Sequence, residues 1–249
     1  MVKPVAIYTD EGTSDVGVES LLLAVPRYLN RTAQPILAEQ IIAGDLAAFS
    51  MLIVPGGADL PYCRKLNGAG NQAIRHFVES GGVYLGICAG AYYACAALDF
   101  VGREYQVKGT RELAFFDGLA QGCLPQWANG NRFDESVQSK AAVSLAFATG
   151  EHERLYYHGG PKFCPNPTAC FEAIARYPDG ELAMVAGSFG AGRYVLSGVH
   201  FELQAEAYQQ IVQAAEASEQ PQERQLAQLF RHDYGKLAWR KVQQAVGFC

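Results

Sequence analysis

The chain is predicted to fold as an α/β protein: a doubly wound, mainly parallel sheet flanked by helices, with an added antiparallel β region. Three observations predict it. Over residues 4 to 98, short continuous apolar runs closed by turn residues alternate with segments of helical period; such runs fit strands buried on both faces. From Phe100 to about Pro178 the texture changes to Gly-, Pro- and aromatic-rich sequence with short β-like stretches. Residues 182 to 202, LAMVAGSFGAGRYVLSGVHFE, hold two apolar runs joined by a Gly-rich turn, the pattern of a hairpin.

Each element follows in order. PVAIYTD (4–10) is the first strand, and VESLLLAVPRYL carries helical spacing until Pro26 disturbs it. PILAEQI (35–41) reads as the second strand and MLIVPGG (51–57) as the third. NQAIRHFVESGG is a helix with Gly81 near its C-terminal cap, and VYLGIC (83–88) is the fourth strand, with AGAYYACAAL a helix beginning directly after Cys88. In the second half AAVSLAF, RLYYHGG and CFEAIARY are β-like. The tail from Ala205 has helical periodicity, with Pro221 separating two helices. The main domain is expected to span 1–203, with 204–249 a helical extension packed on it.

Composition narrows the function classes. The 249 residues carry net charge −5 with no dense basic cluster among the 20 Lys and Arg, so the electrostatic footprint of nucleic-acid binding is missing. There is no apolar run of membrane-spanning length and no signal-peptide core near the start, so a cytoplasmic location is expected. A small-molecule ligand is the expected partner. Seven cysteines (Cys63, Cys88, Cys95, Cys123, Cys164, Cys170 and Cys249) are odd in number and irregularly spaced; neither a disulfide framework nor a structural metal is expected. No cofactor is implied. Leu226, Leu229, Phe230, Leu237 and Trp239 could serve a homo-oligomer interface, although packing back on the sheet is their simpler use.

Gly86-Ile87-Cys88-Ala89-Gly90 is the most informative motif. A nucleophile on a sharp strand-to-helix turn needs small neighbours, because its backbone is strained and strand and helix approach closely. A thiol at a helix N-terminus also meets partial positive charge, which favours the thiolate. Such a nucleophile needs a base and a group that orients the base. In Gly198-Val199-His200-Phe201-Glu202, alternation puts His200 and Glu202 on one side of an extended chain and supplies both. Pro55-Gly56-Gly57 closes the third strand at the same sheet edge, so the Gly57 and Ala89 N–H groups could form an oxyanion hole, with Gly56 beside them. His158 is a candidate lining residue, and Tyr92, Tyr93, Tyr156 and Tyr157 could surround a pocket. His76, His152 and His232 read as solvated.

The order P-G-G, G-I-C-A-G, G-V-H-F-E resembles class I glutamine amidotransferases, whose fold is flavodoxin-like and whose triad is Cys, His and Glu. PGGADLPY, GGVYLGICAGAYYA and YYHGG look more closely like the amidotransferase-like N-terminal domain of biotin-protein ligases. The resemblance covers about residues 3 to 203 and implies Cys88 as nucleophile, His200 as base and Glu202 as orienting group. Tyr92 stands where glutamine amidotransferases usually place Gln, and Phe201 replaces the Pro of their His-Pro-Glu, so glutaminase activity is not expected. The G-R-G-R-x-G stretch of biotin ligases is absent, and biotin ligation itself is not expected either. Three classes stay open: a cysteine-dependent hydrolase or transferase acting on an amide, ester or thioester; a non-catalytic binding or regulatory module; and a redox or electrophile sensor built on Cys88.

Overall fold

The computed structural model describes residues 2–248; Cys249, one of the seven cysteines, lies outside them. The strands of the parallel core are β1 (Val5–Tyr8), β2 (Ala33–Ile36), β3 (Met51–Val54) and β4 (Val83–Ile87). Strands β5 (Cys95–Val101), β6 (Gln106–Thr110), β7 (Phe116–Gly122), β8 (Ala141–Phe147), β9 (His152–Tyr157), β10 (Lys162–Pro165) and β11 (Glu172–Arg176) follow. The hairpin β12 (Leu182–Phe189) and β13 (Gly192–Ser197) comes last. Helices are α1 (Asp15–Leu29), α2 (Ala38–Ala43), α3 (Asp59–Leu66), α4 (Ala69–Glu79), α5 (Ala89–Ala94), α6 (Ala205–Ala214), α7 (Gln220–Ala227) and α8 (Lys236–Val246).

The sheet runs β2-β1-β3-β4-β13-β12-β10-β7-β5-β6, with β11, β8 and β9 continuing from β12. Pairings from β2 through β13 are parallel, and most beyond β13 are antiparallel. Alternation along β1 explains the two-sided core. Val5 and Ile7 join Leu21 of α1 and Trp239 of α8 on one face, while Ala6 and Tyr8 join Tyr62 of α3 and Ile74 of α4 on the other. Residues buried on both faces must all be apolar, which is why these strands read as unbroken hydrophobic runs.

Four local expectations are corrected. Helix α1 continues through Pro26 to Leu29. Proline removes the bond to the Leu22 carbonyl, but Leu22 and Pro26 both face solvent, where water can take that carbonyl. The second strand ends at Ile36 and α2 follows, because the Gln40 side chain accepts the Leu37 N–H at 2.9 Å and the Asp10 carboxylate accepts the Ala38 N–H at 3.2 Å. Helix α5 stops at Ala94, and Cys95-Ala-Ala-Leu98 becomes β5 through pairing with β6 and β7, a long-range interaction that overrides local propensity. The tail forms three helices rather than two. Pro221 lies in the first turn of α7, where its missing N–H is not needed.

The tail packs on the sheet. Trp239 is fully buried edge-on against Phe201, Phe230 is buried, and Leu226, Leu229 and Leu237 pack half-buried on the same core. No helix among the described residues is long and apolar enough to cross a membrane.

Candidate functional site

Strand order brings the three motifs together. Strands β3, β4 and β13 are parallel neighbours with β4 in the middle, so Pro55-Gly56-Gly57, Cys88 and Gly198-Val199-His200 leave the sheet at one carboxyl edge. Cys88 has φ 50° and ψ −105°, a left-handed backbone costly for a residue with a side chain. Its N–H donates to the Ser197 carbonyl at 2.9 Å, and its carbonyl accepts from Ala91 and Tyr92 at 3.0 Å each, which holds that conformation. Gly90 is required by close approach. A Cβ there would stand 2.0 Å from the Val54 carbonyl oxygen, so only glycine lets α5 start against β3.

His200 and Glu202 form a direct pair. The Nδ1 of His200 lies 2.8 Å from Oε1 of Glu202, whose side chain is wholly buried. A carboxylate can only accept, so Nδ1 carries the proton and Nε2 is left for another partner. Gly56 locates the ring: a Cβ on it would be 2.7 Å from His200 Cε1 and 3.5 Å from Cys88 Cβ. Burial alone would lower the imidazolium pKa, but the negative charge of the Glu202 carboxylate at 2.8 Å, with a smaller contribution from the Cys88 sulfur when ionised, pushes it up to about 10. Glu202 Oε2 has no partner among the described residues.

The His200 backbone is held from two sides. Its N–H donates to the Tyr156 carbonyl at 2.9 Å, and its carbonyl accepts from the Tyr234 hydroxyl. Tyr234 Oη in turn accepts the Tyr156 N–H at 2.9 Å. Thus a tail residue that sequence reasoning missed positions the imidazole. A tyrosine between two helices, with its partners some eighty and thirty residues away in the chain, carried no local signal.

Beside Cys88 lies a cavity of about 100 Å³, reached also by Gly57, Ala89, Tyr92 and His158. Neither the Gly57 nor the Ala89 N–H donates a backbone hydrogen bond among the described residues. The thiol of Cys88 donates to the His158 carbonyl at 3.7 Å. The His158 ring places Nε2 2.8 Å from the Asp134 carbonyl, which can only accept, so that nitrogen bears the proton. Burial, only partly opposed by that bond, holds its pKa down at about 3 and keeps the ring neutral. Tyr92 spends its hydroxyl on the Gly159 carbonyl at 3.0 Å.

Three expected lining residues do not reach the cavity. Tyr93 is fully buried on the far side of α5, its hydroxyl 2.6 Å from Asn71 Oδ1. Tyr157 is fully buried and bonded to Leu124 and Gly160. Tyr156 packs edge-on against His200, ring centroids 5.8 Å apart. The wall is made instead by Leu98, Phe100, Tyr105, Val107 and Phe133. Their one sequence signal is the aromatic-rich texture that begins at Phe100. His76, His152 and His232 are exposed. Among the described residues no group of three or more His, Cys, Asp or Glu is arranged to hold a metal ion.

With this geometry in place, comparison with known proteins finds three kinds of likeness. A family model described as "Biotin-protein ligase, N terminal" matches residues 3–245. The biotin–protein ligase of Schizosaccharomyces pombe is 30% identical over 214 residues, which are 81% of this chain and 34% of the ligase. An uncharacterized protein of Chlamydia muridarum is 35% identical over 158 residues, covering 61% of this chain and 60% of that one. The likeness therefore spans about a third of the ligase and three fifths of the chlamydial protein. Among solved structures, a glutamine amidotransferase superposes with a TM-score of 0.56 at 20% identity, covering 80% of this chain and 90% of that one. At that identity the likeness shows the fold, a mainly parallel α/β sheet with an antiparallel region.

Proposed function

We propose a function from one premise: the chain belongs to the biotin-protein ligase N-terminal domain family. The reading is a cysteine-dependent acyl transfer or hydrolysis carried by Cys88, His200 and Glu202. The single observation that carries it is the conjunction at one sheet edge of a thiol on a strained elbow and a His200–Glu202 pair at 2.8 Å.

In this reading His200 Nε2 takes the Cys88 thiol proton and Sγ attacks the carbonyl carbon of an amide, ester or thioester, forming a C–S bond while the carbonyl electron pair moves to oxygen. The N–H groups of Gly57 and Ala89 receive the oxyanion. His200 Nε2 gives its proton to the leaving nitrogen, oxygen or sulfur as the tetrahedral intermediate collapses to a thioester on Cys88. Water then attacks that thioester, His200 accepts the water proton, and the Cys88 sulfur leaves with the C–S electron pair. Glu202 holds the imidazole in its Nδ1–H tautomer and stabilises the cation.

A panel of acyl thioesters and activated amides, followed by intact-protein mass, tests the reading. An acyl adduct on Cys88 that is absent in Cys88→Ser and persists longer in His200→Ala is expected. No adduct on Cys88 from any acyl donor, with all cysteines alkylated at similar rates, would overturn it and favour a non-catalytic binding module.

A further inference from the structure

We infer that the group delivered to Cys88 is a short, uncharged, apolar acyl group, excluding substrates with a carboxylate or ammonium near the reacting carbonyl. This rests on the acyl-transfer reading and names its substrate class.

Size comes first. Sites for drug-sized ligands occupy roughly 300 to 1,000 Å³. The cavity at Cys88 has about 100 Å³, room for a fragment and no more. Leu98, Phe100, Val107 and Phe133 line it, and their rings interlock: Tyr92 meets Phe100 edge-on at 5.7 Å, Phe100 meets Phe133 at 5.6 Å, and Phe133 lies 4.6 Å from the His158 ring. Tyr105 also lines the cavity yet is 53% exposed, which marks the mouth. The leaving group would therefore point past Tyr105 toward solvent.

Charge comes second. No Lys or Arg stands among the described residues of the wall. The one carboxylate there, Asp59, is bound by the buried Arg111 guanidinium at 2.7 Å, so each neutralises the other. His158 is uncharged and its proton is committed to Asp134. The Tyr92 hydroxyl is committed to Gly159. A substrate carboxylate would lose its water here and meet no unpaired cation, since His200 is already paired with Glu202, and a substrate ammonium would find no unpaired anion. Glutamine carries both charged groups on the third carbon from its amide carbonyl. A neutral alkyl amide or thioester loses nothing comparable.

Protection of Cys88 against iodoacetamide reads this without requiring turnover. Butyramide, succinamate and glutamine serve as probes in wild type, His200→Ala and Phe100→Ala, with Val107→Ala as a milder enlargement. Butyramide should slow Cys88 alkylation by about tenfold or more near saturation while succinamate and glutamine do not, and hexanamide should protect better in the enlarged variants than in wild type. Equal protection by succinamate or glutamine, or none by any neutral amide, would overturn the inference. Intact butyramide protection with no acyl adduct in the thioester panel would sink the acyl-transfer reading alone. Acylation that is as fast for succinyl as for butyryl thioesters would sink the substrate class alone.

Discussion

His200 Nδ1 and Glu202 Oε1 lie 2.8 Å apart, two residues from one another in the chain, with the carboxylate wholly buried and the imidazole beside Gly56, which also neighbours Cys88. The bond gives the ring one tautomer and one orientation. Glu202→Gln should keep the fold and bring the His200 pKa down from about 10, as followed by imidazole NMR shifts. Alkylation of Cys88 at neutral pH should slow in parallel, and slow further in His200→Ala. Unchanged His200 titration in Glu202→Gln would break the link between the two residues.

The thiols should separate cleanly. Burial pushes Cys95 well up, and it also raises Cys63, Cys123 and Cys164 despite smaller opposing contributions at some of them. Peptide mapping after brief iodoacetamide treatment at pH 7 should find Cys88 modified first, with exposed Cys170 reacting as an ordinary surface thiol. Cys88→Ser should remove the fast phase. Even labelling of all cysteines would speak against a preorganised nucleophile.

Ammonia release from glutamine alone should be close to background. Tyr92 occupies the position of the usual Gln, with its hydroxyl turned to Gly159 rather than to the cavity. A coupled dehydrogenase assay showing Cys88-dependent ammonia release would reverse this expectation.

Tyr234→Phe removes the hydroxyl that ties the His200 carbonyl to the Tyr156 N–H. Loss of such a shared buried bond should cost about 1 to 3 kcal/mol in urea unfolding. Because Tyr234 positions His200 without touching the cavity, the rate of acylation should fall while butyramide protection stays. A stability loss with no change in acylation rate would make Tyr234 purely structural.

Stability should depend on pH from both sides. His200 binds its proton more tightly folded than unfolded, where histidine titrates near 6.5; that contribution is complete below about pH 6.5 and is lost as pH rises toward 10. His158 has the opposite sign. Its folded pKa of about 3 makes its contribution complete above about pH 6.5, and it is lost as pH falls toward 3. Urea unfolding across this range should show His200→Gln flattening the alkaline limb and His158→Gln the acid limb. An acid limb that His158→Gln leaves unaltered would mean that other groups control it.

The elements legible in the sequence are those whose information is local. A strand buried on both faces has to be apolar throughout, so β1, β3 and β4 announce themselves, and a sharp strand-to-helix turn needs its glycines at fixed spacing, so the turn at Cys88 does too. His200 and Glu202 were readable as a pair because two residues of extended chain put side chains on one side. Whatever depends on partners distant in the chain was decided by tertiary structure. Cys95–Leu98 became a strand because β6 and β7 offered hydrogen bonds, and Pro26 stayed in its helix because the adjacent turn faces water. The cavity wall of Phe100, Tyr105 and Phe133, and the Tyr234 brace behind His200, unite segments that only the packed sheet brings within contact distance. Spacing in sequence therefore named the candidate groups. The space in front of them was set by long-range packing.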